Sequence, residues 1–61
     1  PGVLYFMACL YSNMEETDEA LSYLEKAVSA GFSHKEWLLV DPDMVPLHDH
    51  PRFKAVIEGI S

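Results

Sequence analysis

SNMEETDEALSYLEKAVSAGF, residues 12–32, carries a helix with both of its ends written into it. Ala20, Leu21, Leu24, Ala27 and Val28 recur at steps of three and four, which gathers them on one face and leaves Glu25 and Lys26 toward water. Thr17 or Asp18 is expected to cap the start, and Asp18 and Glu19 suit the positive end of the helix dipole. Gly31 provides a left-handed stop, and Phe32 can fold back on the last turn in the manner of a Schellman end. The polar residues before Thr17 read as a turn, so something must enter that turn from the N-terminal side.

What enters is VLYFMACLY, Val3–Tyr11, apolar at every position. Periodicity alone does not separate a buried strand from a buried helix in such a run. The turn and the amphipathic helix that follow favour a second helix, antiparallel to the first. A helix apolar nearly all round packs one face on its neighbour and needs cover for another. That cover is expected from helix four, from a second copy or from another partner. The run falls well short of the ~20 residues that span a bilayer. It also lacks the basic flank of a secretory signal, and FMAC is a poor lipoprotein cleavage site.

Downstream, SHKEWLLV (Ser33–Val40) opens with Ser33 and Glu36 at capping-box spacing and predicts a short third helix. Pro42 ends it by restricting the residue before it. In HPRFKAVIEGI, Phe53, Val56, Ile57 and Ile60 share a stripe, Asp49 or His50 can cap, and Pro51 suits a first turn. The fold class is therefore all-α: an antiparallel helix–turn–helix pair followed by two short capping helices, with no sheet.

Composition narrows the function. A chain of 61 residues is one domain near the lower size limit for folding alone, and its single cysteine excludes an internal disulfide. No Cys/His spacing matches a structural zinc site. A net charge of −6 argues against nucleic acid and anionic membrane as partners. A lone cysteine fits a reducing compartment and slightly favours the cytoplasm. The opening Pro-Gly, without Met, predicts a domain excised from a longer chain.

The stretch DPDMVPLHDHPRF, Asp41–Phe53, concentrates acids and histidines, and a metal-dependent hydrolase would have to draw on Asp41, Asp43, His48 and His50. The competing reading is structural: Pro42 and Pro46 turn the chain, Asp41, Asp43 and Asp49 cap short helical turns, and Leu47 and Phe53 plug the core. No HExxH or paired Cys/His spacing supports the metal, so neither a metal nor a cofactor is expected. Cys9, on an apolar helix with no cation near it, reads as packing rather than as a reactive thiol. Glu15, Glu16, Asp18 and Glu19 read as a solvated turn and helix start, and Trp37 as a core plug holding helix three on helix two. No nucleophile–base pair or phosphate loop is present, and no enzyme activity is expected.

Leu4, Met7, Ala8, Tyr11, Ala20, Leu24 and Ala27 stand at the spacings of a tetratricopeptide repeat, a helix–turn–helix unit of about 34 residues, which the first half of the chain resembles. The remainder, through Gly31-Phe32, the Trp37 helix, Asp41-Pro42-Asp43, Pro46-Leu47 and Pro51-Arg52-Phe53, resembles the segment that follows the last repeat in many bacterial members. The resemblance implies a repeat over residues 1–34 and a cap over 35–61, with Trp37, Leu47 and Phe53 as its plugs. It also implies a concave partner-binding face formed by Tyr5, Cys9, Ser12 and Asn13, with Gly2 at its rim. Tyr5 and Cys9 occupy the places where chaperone-binding members carry Lys and Asn, so a carboxylate clamp is not implied.

The function expected is a non-catalytic module that binds a protein or peptide, the terminal repeat and cap of an array. The alternative is a structural domain that pairs with its own copy through the first helix. Two packing expectations accompany it. Ala8→Leu should destabilise more than Ser12→Leu, because Ser12 should face outward. Leu47 and Phe53 should be buried while His48 stays largely in water.

Overall fold

The computed structural model describes residues 2–60. In order they form α1 (Gly2–Asn13), α2 (Thr17–Ser29), α3 (Lys35–Val40), a 3-10 helix (Pro42–Leu47) and α4 (Pro51–Gly59), with no strand among them. The fold is all-α, and its frame is the antiparallel α1–α2 pair.

Small residues set that pair. Ala8, Ala20 and Ala27 are fully buried and let the backbones approach, while Leu21 and Leu24 fill the seam beside them. Tyr11 and Tyr23 stack face to face across it, with ring centroids 5.4 Å apart.

The turn uses the same device at both helix ends. After α2, Gly31 takes φ +113°, Phe32 N–H donates to Ala27 C=O and Gly31 N–H to Val28 C=O. This is the Schellman pattern, and Phe32 is buried by it. After α1, Glu16 N–H donates to Tyr11 C=O and Glu15 N–H to Ser12 C=O, with Glu15 itself at φ +60°. A left-handed stop thus falls on a non-glycine residue, and the sequence carries no sign of it.

Two expected caps do not form. Glu16, not Thr17 or Asp18, occupies the N-cap of α2, and its side chain caps nothing. The Ser33–Glu36 capping box is also absent: His34 is the N-cap of α3, and Glu36 lies against the His34 ring at 3.5 Å. The expected start of α4 does hold. His50 Nδ1 accepts from the Arg52 amide at 3.1 Å, with Pro51 in the first turn.

The tail closes the molecule. Met44 and Leu47 of the 3-10 helix and Leu38 of α3 are fully buried, and Phe53, Val56 and Ile60 join them. The 3-10 helix lies on α1 and α4 on α2, where Arg52 reaches Glu25 with both Nε and Nη2. Pro46, inside the 3-10 helix, has no amide to offer the Asp43 carbonyl, which accepts from Ser12 Oγ instead.

Candidate functional site

Tyr5, Cys9 and Ser12 recur every three or four residues on α1 and form one row, as expected. The groove they were expected to line is not open. The row is covered by residues 41–47, and all three side chains are buried, Ser12 to 3% exposure. The Tyr5 hydroxyl donates to the Asp41 carboxylate, Ser12 Oγ donates to the Asp43 carbonyl at 2.6 Å, and Asn13 Nδ2 donates to Asp43 Oδ1 at 3.0 Å. Only Asn13 stays exposed. The cause is chemical. A polar row on an otherwise apolar helix needs acceptors, and the Asp-Pro-Asp segment supplies them from the same chain. Ser12 therefore faces inward, contrary to its expected outward position.

Cys9, Asp41 and Asp43 meet there, with one candidate ligand atom from each within 4.8 Å of the others. Asp41 Oδ1 accepts from the Asp43 amide at 2.9 Å, which makes the turn itself the first claim on that carboxylate. Burial, reinforced by Asp41 and Asp43, pushes the Cys9 thiol up to about 11. Burial and the Asp41 hydrogen bond likewise raise the Tyr5 phenol well above its ordinary value. Both groups hold their protons at neutral pH, so this cluster works as a hydrogen-bonded clasp between α1 and the tail and does not offer a ready nucleophile.

The histidines are not part of it. His48 Nε2 donates to the Leu38 carbonyl at 3.0 Å, and its ring lies 5.1 Å from that of Phe53, so it is half-buried rather than in water. His50 caps α4. The four residues proposed for a hydrolase thus divide into two carboxylates bound to α1 and two histidines serving separate elements.

Trp37 also departs from expectation. It is 50% exposed, and the residue of α3 that plugs the core is Leu38. Trp37 instead sits edge-on to Tyr5 and Phe32, with His34 stacked on it at 4.8 Å. A recess of about 350 Å³ lies beside these rings, but the rings already contact one another.

One apolar surface that remains open is the far side of α1, apart from the exposed Trp37, Leu39, Val40 and Val45 of α3 and the 3-10 helix. Val3, Phe6, Leu10 and Met14 are 75%, 60%, 42% and 57% exposed. They recur at steps of three and four, which aligns them in a stripe running about 16 Å along the helix. Met14, just past the end of α1, keeps register because its N–H donates to the Leu10 carbonyl. Helix four does not cover this stripe, because its contacts go to α2. The sequence showed that α1 had one apolar face too many; which face stayed free followed from where the tail docked. Among the described residues no helix is long and apolar enough to cross a membrane.

Comparisons with protein-family models, with characterised proteins and with solved structures return no match to this chain.

Proposed function

We propose that the chain is a non-catalytic protein–protein interaction module, the last repeat and end cap of a tetratricopeptide-like helical array. The observation that carries this reading is the open apolar stripe Val3, Phe6, Leu10 and Met14, on the side of α1 turned away from the tail. An end unit of a helical array has this asymmetry: one side sealed by its own cap, the other presenting an apolar helix face to a neighbouring element. The sealed side supports the reading as well, since the tail satisfies the polar row of α1 and buries Met44 and Leu47. Of the groups with chemical potential, Asp41 and Asp43 are engaged in holding that seal, and Cys9 is buried beneath it.

Sedimentation equilibrium with a hydrophobic fluorescent dye tests it. The chain should sediment as a monomer that binds the dye, and a Phe6→Ser/Leu10→Ser variant should keep its helicity and lose the dye signal. A stable dimer that this double variant dissociates would replace the array reading with self-assembly. A monomer that fails to bind the dye would remove the docking surface altogether.

A further inference from the structure

We infer that the occupant of the α1 stripe is a basic amphipathic helix, with its apolar face on Val3, Phe6, Leu10 and Met14 and its Lys or Arg side chains reaching the acids at the Met14 end. This rests on the docking reading above and adds the chemistry of the partner.

Shape and charge both point there. The stripe is straight, one side chain wide, and about 16 Å long, which matches the apolar face of a helix of three to four turns. α1 carries no Asp, Glu, Lys or Arg, so the stripe itself imposes no charge requirement. Its far end does. Glu15 and Glu16 follow directly on Met14 and are exposed, and Asn13 holds the Asp43 carboxylate on the flank of the same turn. Interaction with the Glu19 carboxyl holds the Glu16 carboxyl above its usual range, a sign of acids crowded at this turn.

Among the described residues no cation relieves that crowding. The chain's four Lys and Arg residues, Lys26, Lys35, Arg52 and Lys54, lie on α2, α3 and α4. Arg52 is committed to Glu25 and Asp18, and Lys26 lies over the Tyr23 ring. Among the described residues no ion pair involves Glu15, Glu16 or Asp43. A second copy, also at −6, would bring the same excess of acid and is disfavoured as the occupant. A basic helix meets both demands, and its cations would steer it onto the acidic end.

The test titrates the whole chain into a labelled helical Leu/Lys peptide of about four turns and into its Leu/Glu twin, followed by fluorescence anisotropy. The Leu/Lys peptide should bind, more weakly as salt rises, and the Leu/Glu twin should not. Phe6→Ser/Leu10→Ser, at two exposed positions, should leave the circular dichroism spectrum unchanged and abolish binding. Glu15→Gln/Glu16→Gln should weaken it by about threefold per carboxylate. Equal affinity for the two peptides would overturn the basic requirement and leave the docking surface standing. Binding that survives Phe6→Ser/Leu10→Ser, or no binding of either peptide, would overturn the inference. A stripe-dependent dimer of the chain alone would overturn it together with the array reading.

Discussion

Ser12 shows how one hydroxyl changes sides. At 3% exposure it donates to the Asp43 carbonyl, so Ser12→Leu both removes a donor and forces a larger side chain into a closed seam. Leaving that carbonyl unpaired costs about 1–3 kcal/mol, comparable to the roughly 1–3 kcal/mol expected for overpacking at Ala8. Urea denaturation should therefore show Ser12→Leu and Ala8→Leu both strongly destabilised; a Ser12→Leu midpoint at the wild-type value would put Ser12 back on the surface. Cys9 makes a second residue-scale prediction. Its thiol is buried and pushed up to about 11, so a thiol reagent at pH 8 should label it far more slowly in the native chain than in urea. The same shift has a sign for stability. The folded thiol holds its proton more tightly than the unfolded one, so folding loses free energy as pH rises from the ordinary thiol range toward 11. Cys9→Ala should flatten that alkaline loss, and an unchanged slope would count against the clasp.

At the scale of the elements, helix ends carry the difference between what was expected and what formed. Gly31 announced the α2 stop because glycine adopts positive φ without cost, whereas Glu15 does the same work at φ +60° and looks like any surface acid. Glu15→Gly relieves a left-handed cost of about 1–2 kcal/mol against a smaller loss of unfolded-state restriction, so the melting temperature should rise; a fall would show that the Glu15 side chain itself holds the turn. The α4 attachment is electrostatic at its edge. Hydrogen bonding by Arg52 lowers the Glu25 pKa, so the contribution of the pair is complete above the ordinary carboxylate range and is lost as pH falls through and below it. Glu25→Gln should be less stable than the parent at pH 7 and low salt, and equal to it at strongly acid pH. A difference that persists in acid would assign the effect to packing.

For the whole molecule, the tail is part of the core. Met44, Leu47, Phe53, Val56 and Ile60 come from beyond residue 40, and burying one such side chain is worth about 1.5–3 kcal/mol, a large share of the roughly 3–5 kcal/mol that a single core in so small a chain supplies. Truncation after Val40 should abolish cooperative unfolding in calorimetry, and a truncated chain that still melts sharply would make the tail an ornament.

The sequence by itself determined the elements. Three- and four-residue spacing placed α2, the stop at Gly31 and the α4 stripe, and Pro42 set the end of α3, because periodicity and backbone restriction act over a few residues and are written in those residues. It also marked Leu47 and Phe53 as buried and α1 as apolar on more faces than one neighbour could cover. Tertiary structure alone decided which face of α1 the tail would take. That choice depends on the Asp41 and Asp43 acceptors meeting Tyr5, Ser12 and Asn13 across some thirty residues of chain, a match of geometry between segments that no local pattern encodes. Once the tail had docked, the polar row was buried, Leu38 rather than Trp37 filled the core, and Val3, Phe6, Leu10 and Met14 were left as the open side of α1.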